Sequence, residues 1–126
     1  MSDHPVLHDD FIEIVLEGPQ TEANVRQLMK LDDAVIDKFV RSGKPLRILV
    51  DLSQLTSVGL SGFTAAAKNM EDRKVDYQRV ALYGIHLDIV KELAELFMKM
   101  FGDSDKMKIF DTREQALAWL HRPAAK

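Results

Sequence analysis

The chain has 126 residues, of which 46% are hydrophobic and 29% are charged, and this length and composition predict one globular domain over residues 1–126. It contains no cysteine, which excludes disulfides and thiolate metal sites. The net charge is −3, from 17 basic and 20 acidic residues with neither sign gathered in a block, and this balance argues against a nucleic-acid partner.

The start of the chain, residues 1–5, is short and polar and has neither the basic start nor the apolar stretch of a signal peptide. No apolar run approaches the ~20 residues that a membrane-spanning helix needs. We therefore expect a cytoplasmic protein with at most peripheral membrane contact.

Strand and helix signals alternate in the first half of the chain. Residues 11–16 form a β-rich run whose end is predicted at Gly18 and Pro19, and residues 6–7 predict a short partner strand. A helix is predicted from Thr21 to about residue 42, followed by an interior strand over residues 46–50. One face of that helix carries Val25, Leu28, Val35 and Phe39.

The alternation continues in the second half. A helix is predicted over residues 60–70, a strand over 79–83, a helix over 86–101 and a strand over 107–110. Asp111 or Thr112 then caps a final helix. The core-facing residues of the first of these helices are Leu60, Phe63, Ala67 and Met70, and the final helix carries Ala116, Ala118, Trp119 and Leu120.

This order of elements predicts an α/β domain with a central mixed sheet of four or five strands and four helices, in which the first two strands form an antiparallel hairpin. Ligands of such open sheets usually bind outside the carboxyl ends of the strands. Here those ends are residues 51–61, residues 84–86 and Asp111, and a site is expected among them.

Residues 50–63 read V-D-L-S-Q-L-T-S-V-G-L-S-G-F, which resembles the signature segment of STAS domains, the anti-sigma-factor antagonists and their relatives. In that family a strand is followed by a loop of the form D-L-S-x-V-x-F-I-D-S-S-G-L and then by a helix. The similarity continues through Gly18, the long first helix and the closing segment 109–120. The resemblance implies a STAS-like fold and a non-catalytic, protein-binding role.

The chain departs from the STAS pattern at the position of the regulatory phosphoserine. The family's Asp-Ser pair is replaced by Gly59 and Leu60, and leucine has no hydroxyl to phosphorylate. Ser61 is the next residue, about 100° further round a helix. The chain is therefore more similar to the SpoIIAA-like branch, which is related to the CRAL-TRIO lipid-binding fold, and this implies an apolar ligand or a membrane contact.

A first candidate site is the loop and helix start after the predicted third strand. The first N–H groups of a helix lack intrahelical partners and carry partial positive charge, so they can bind an anionic group of a ligand or partner. In the alternative interpretation, serines cap the helix and glycines allow tight packing. The candidate residues are Asp51, Ser57, Gly59, Ser61 and Gly62.

A second candidate site is the helix over residues 87–101. Its polar residues span about 100° of the helical wheel and its ten apolar residues about 200°, whereas a helix that covers a sheet needs an apolar stripe of only about 100°. The candidate ligand-binding residues are Leu60, Ser61, Leu93, Phe97, Met98, Met100 and Phe101.

The surplus apolar surface of this helix must be shielded from water. It can be buried by neighbouring helices of the same domain, by a second subunit in a homodimer, or by an apolar small molecule or membrane. The polar arc holds two lysines and three acids, a net charge of −1, whereas a helix bound to anionic lipid is normally rich in Lys and Arg. This weighs against a constitutive membrane anchor.

Catalytic and metal-binding patterns are poor. Ser61 stands in G-x-S-G rather than G-x-S-x-G, and His86 has no acid placed by the sequence to orient it. A hydrolase that uses this pair is the least favoured hypothesis. The four histidines, His4, His8, His86 and His121, lack metal-ligand spacing, and no phosphate-binding glycine motif is present. We expect no enzymatic activity, no metal and no cofactor.

Two functional hypotheses follow from the sequence. The first is a binding module whose helix 87–101 lifts from the body to admit an apolar, lipid-like ligand or a partner. The alternative is a protein-interaction regulator of the anti-sigma-antagonist kind that lacks the usual phosphorylatable serine.

Overall fold

A five-stranded sheet forms the centre of the computed structural model, which describes residues 5–58, 64–65, 68, 78–101 and 106–122. The strands are β1 (Pro5–Leu7), β2 (Ile12–Gln20), β3 (Arg47–Val58), β4 (Arg79–Tyr83) and β5 (Met107–Phe110). Three helices are bounded within the described residues: α1 (Glu22–Arg41), α2 (Asp88–Phe101) and α3 (Arg113–Leu120). Thr64, Ala65 and Lys68 are also helical, inside the segment where a further helix is predicted.

The strands lie in sequence order, β1-β2-β3-β4-β5. β1 is antiparallel to β2, and every other neighbouring pair is parallel. The predicted mixed α/β sheet with an opening hairpin is therefore confirmed. β4 and β5 have the predicted bounds.

The predicted ends of β2 and β3 are wrong. β2 continues through Gly18 and Pro19, and β3 continues past Asp51 to Val58. The two strands extend together as a parallel ribbon with register shifts between Val15 and Glu17 and between Gly18 and Pro19. A shift of this kind takes up an extra residue without ending the pairing, and Gly18 supplies the positive φ of 65°.

Local side-chain chemistry sets the helix ends. The Thr21 hydroxyl accepts a hydrogen bond from the N–H of Asn24 at the start of α1, and Thr112 accepts one from Gln115 at the start of α3. These bonds satisfy N–H groups that have no partner inside the helix. Gly43, with a φ of 83°, follows the end of α1, as predicted.

The helices cover both faces of the sheet. α1 packs over one face with Phe39 on Ile12 and Ile14, and α2 joins the same face through Val90 on Leu52 and Leu55. α3 covers the opposite face, where its buried residues meet alternate strand residues. That second cluster consists of Phe11, Leu49, Ala81, Tyr83, Ala116, Trp119 and Leu120.

Several predicted core positions are tested by this packing. Val25 and Phe39 of α1 are buried, as are Ala116, Trp119 and Leu120 of α3, whereas Ala118 is exposed. The side chain of Leu28 and the residues Leu60, Phe63, Ala67 and Met70 lie outside the described residues. Within the described part of the chain, the helices are too short or too polar to cross a membrane.

Candidate functional site

The exposed apolar side chains on one side of α2 form the first candidate surface. Ile89 is 53% exposed and Leu96 is 45% exposed, whereas Val90 is only 6% exposed. Ile89, Leu93 and Leu96 have the spacing i, i+4, i+7, which places them along one stripe of the helix. We call these three residues the α2 stripe. Among the residues predicted to bind an apolar ligand, Leu93 is the only one whose side chain is described, and it is half-buried.

The sheet surface beneath α2 is apolar and incompletely covered. Leu52, Leu55 and Val90 form a buried cluster. The apolar side chains around it, on the strands and in the β4–α2 connection, are only partly buried. They are Leu16, Val50, Leu82, Ile85 and Leu87. The contact between α2 and the sheet therefore leaves apolar area on both sides.

The beginning of α2 is fixed to the sheet. The Nε2 atom of His86 lies 2.9 Å from the carbonyl oxygen of Leu55. Gly84, with a φ of 82°, lies against Ser53 so closely that an added Cβ would be 2.9 Å from both the Cβ and the backbone nitrogen of Ser53. Together with buried Val90, these contacts attach the first turn of the helix to β3.

The other residues predicted for the α2 site are only partly described. Phe97, Met98, Met100 and Phe101 belong to the helix, but their side chains lie outside the described residues. Leu60 and Ser61 also lie outside them. Among the described side chains of α2, the predicted surplus of apolar surface corresponds to the exposed residues Ile89 and Leu96.

A polar network on the α3 face forms the second candidate site. The Nη2 atom of Arg113 donates to Oε1 of Glu13 at 3.0 Å and joins α3 to β2. The Tyr83 hydroxyl is bonded to Asp51, and Arg113 donates to Tyr83. Asp51 also accepts from the N–H and hydroxyl of Ser53, at 2.8 and 2.6 Å. The network therefore crosses three neighbouring strands.

The electrostatics of this network favour one protonation state. Burial, followed by the hydrogen bond to the Asp51 carboxylate, raises the pKa of Tyr83 to about 12. The hydrogen bond to Glu13 raises the pKa of Arg113. A neutral phenol therefore lies between a carboxylate and a guanidinium, and every member has a partner. This arrangement holds α3 on the sheet rather than offering a reactive group.

The raised pKa of Tyr83 predicts a pH dependence of stability. An unfolded tyrosine titrates near pH 10, so Tyr83 stabilises the fold fully below about pH 10 and loses this contribution as the pH rises to about 12. We expect Tyr83→Phe to flatten the fall in the free energy of unfolding across this window, measured by urea denaturation at several pH values. An equally steep fall in the variant would contradict the assignment.

The structure describes only some of the residues predicted for the loop site. Asp51 is half-buried inside β3, where it pairs with Tyr83, the last residue of β4. Ser57, predicted in a loop, is exposed in the β3 extension. Gly59, Leu60, Ser61 and Gly62 lie outside the described residues.

Sequence reasoning missed Glu13, Tyr83 and Arg113. The sequence offered a signal for this network in Glu13, which is the charged residue of the otherwise apolar run 11–16. Arg113 gave a second signal, because a cation in the first turn of a helix is disfavoured unless it has a partner.

The described histidines have structural partners. His8 contacts Glu13 at 2.9 Å, and His121 contacts Asp10 at 2.9 Å. His86 is bonded to the Leu55 carbonyl, while Ser61, its proposed partner in a hydrolase, lies outside the described residues. His4 also lies outside them. In the described ranges, His, Asp and Glu side chains do not meet in threes as a metal site requires.

A family model described as SpoIIAA-like matches residues 11–121 of the chain. No curated protein matches the sequence. The fold is similar to a protein of the DUF3478 family with a SpoIIAA-like fold from Shewanella loihica PV-4, at a TM-score of 0.64 and 16% identity over 94% of this chain and 92% of that one.

Two further solved structures share the fold. The anti-sigma factor antagonist SpoIIAA in its unphosphorylated form gives a TM-score of 0.56 at 16% identity, over 93% of this chain and 94% of that one. The protein TM1081 gives a TM-score of 0.59 at 18% identity, over 94% and 88%. At these identities the likeness concerns the fold.

Proposed function

Because the chain belongs to the SpoIIAA-like family, we propose that it is a non-catalytic binding protein that holds an apolar, lipid-like ligand between the sheet and the side of α2 that carries the α2 stripe. The observation that carries this proposal is the exposure of the α2 stripe above a partly covered apolar sheet surface.

The contacts of α2 support a movement of the helix on ligand binding. His86 and Val90 attach its first turn to β3, whereas Ile89 and Leu96 lie outside the apolar contact. A helix fixed at one end can move its other end away from the sheet with little loss of packing. An apolar ligand would then cover the half-buried residues Val50, Leu82 and Leu87, and burial of such area stabilises a complex by ~25 cal/mol per Å².

The charges of α2 favour a neutral apolar partner over an anionic membrane. Asp88, Glu92 and Glu95 outnumber Lys91 and Lys99 in its polar arc. Anionic lipid attracts helices rich in Lys and Arg, so any membrane contact of α2 would be peripheral and transient.

The direct experiment is to denature the purified protein, extract it with organic solvent and identify any lipid by mass spectrometry. A titration with the fluorescent fatty acid cis-parinaric acid then measures affinity. Absence of both extracted lipid and probe binding would rule the proposal out.

A matched pair of variants tests the site itself. Leu96→Asp is expected to weaken binding of the fatty-acid probe by about tenfold or more, because a carboxylate at an apolar contact costs ~1.4 kcal/mol or more. Val40→Asp places the same charge at an apolar residue of α1 that is 50% exposed and serves as the control. Equal losses in the two variants would contradict a site at α2.

The second candidate function is a protein-interaction regulator of the anti-sigma-antagonist kind. It is favoured by the β3 extension, whose residues Ser53, Gln54, Thr56 and Ser57 are exposed within the segment that resembles the STAS signature. Pull-down of a histidine-kinase-like anti-sigma factor, abolished by Ser57→Arg and unaffected by Leu96→Asp, would favour this function over lipid binding.

A further inference from the structure

Cations gather at the amino-terminal ends of the strands on the α3 face. Arg47 and Arg79 begin β3 and β4 and are register partners. Lys108 of β5 pairs with Ala81 of that face, and Arg122 follows α3. We call these four cations, Arg47, Arg79, Lys108 and Arg122, the basic cluster.

Arg79 is the buried centre of the basic cluster. Its Nη1 atom donates to the carbonyl oxygens of Trp119 and Arg122, the latter at 3.1 Å, and therefore caps the end of α3. Its guanidinium lies 5.1 Å from the centre of the Trp119 ring. These contacts fix the position of Arg79 at the end of α3.

The other members add positive charge around this centre. Burial lowers the pKa of Arg79 most, and the nearby charges of Arg47 and Arg122 lower it further. Like charges brought this close repel each other, and their repulsion decreases when an anion binds between them.

The outer members of the cluster have no carboxylate partner in the part of the chain that the structure describes. Arg47 donates through Nε to the amide oxygen of Gln78 at 2.6 Å, and Lys108 lies 5.8 Å from the Trp119 ring. Arg122 and Lys108 are exposed and Arg47 is half-buried. By contrast, two other described arginines form ion pairs, Arg26 with Glu22 and Arg113 with Glu13.

The spacing of these cations suits an extended ligand. Arg47 and Lys108 are separated by two inter-strand spacings and two residues of register, so their Cα atoms are roughly 12 Å apart. One phosphate or carboxylate would require both long side chains to converge on it. Acidic side chains at i and i+2 of an extended peptide lie about 7 Å apart, and several of them can contact the cluster together.

We propose that the basic cluster binds a carboxylate-rich, extended segment of a partner protein. The site is small and belongs to a chain whose net charge is −3, so a long polyanion such as a nucleic acid would meet repulsion beyond it. It lies on the face opposite α2, so its occupation is independent of the proposed apolar site.

The test uses the full chain and a fluorescent octaglutamate peptide, followed by fluorescence anisotropy at low and raised salt. We expect saturable binding that weakens with salt. Arg122→Gln should weaken it about fivefold, which corresponds to ~1 kcal/mol for one exposed charge pair. Arg47→Gln, Lys108→Gln and Arg122→Gln together should abolish it. Arg79 is kept because it supports α3.

The matched control is Lys91→Gln with Lys99→Gln, which removes charge from α2 and should leave peptide affinity unchanged. Thermal unfolding of each variant verifies the fold. The proposal would be overturned by absence of peptide binding, by equal weakening in the control and the triple variant, or by tighter binding of an octathymidylate than of the peptide.

Discussion

Replacement of Gly84 by alanine is expected to lower the free energy of unfolding by about 3 kcal/mol or more. Two effects add at this position. The φ of 82° is unfavourable for any residue with a Cβ, and the new Cβ would be 2.9 Å from the backbone nitrogen of Ser53. Backbone cannot move aside as a flexible side chain can, so the β4–α2 connection must shift away from β3.

Gly43→Ala provides the matched control for this prediction. Gly43 has nearly the same φ, 83°, but an added Cβ would meet no atom within 4 Å. Gly43→Ala should therefore lower the free energy of unfolding only by the penalty of a positive φ for a residue with a Cβ, about 1 kcal/mol. Urea denaturation followed by circular dichroism measures both values, and similar losses for the two variants would contradict the close contact between Gly84 and β3.

Truncation of Trp119 to alanine is expected to cost about 3–5 kcal/mol, the usual range for a large buried aromatic residue. Trp119 is buried between Phe110, whose ring centre is 5.6 Å away, and the guanidinium of Arg79. The truncation would leave a cavity under α3 and remove the aromatic contact of a buried cation.

Because Trp119 is the only tryptophan of the chain, unfolding of this variant must be followed by circular dichroism rather than by fluorescence. Trp119→Phe keeps an aromatic ring at the site and should lose less than half as much stability. A loss below about 1 kcal/mol for Trp119→Ala would show that α3 contributes little to the core.

The elements that were predicted correctly have local causes. α1 begins after Thr21 and ends before Gly43 because a hydroxyl cap and a positive φ act on their immediate neighbours. β4 and β5 are short and rich in apolar residues, and their bounds match the prediction. Such signals are complete within a few residues.

The ends of β2 and β3 could not be predicted in this way. Gly18 and Pro19 are typical of a chain turn, but here they lie at a register shift that depends on the pairing of β2 with β3. Neither strand alone contains that information, because each extension is stabilised by the other.

The candidate sites also differ in whether local sequence signals or long-range contacts define them. The apolar stripe of α2 follows from the helical period, so the exposure of Ile89 and Leu96 agrees with a pattern visible in the sequence. The bond between Glu13 and Arg113 joins residues 100 positions apart, and the basic cluster combines three strands with the end of α3. Only the strand order brings these groups together.

The two outermost strands restrict how the protein can associate with others. β1 has three residues, begins with a proline that has no N–H to donate, and β5 has four residues. Margins this short offer an incoming strand few backbone hydrogen bonds at β1 and β5. Recognition of other molecules at these two edges is thereby left to side chains.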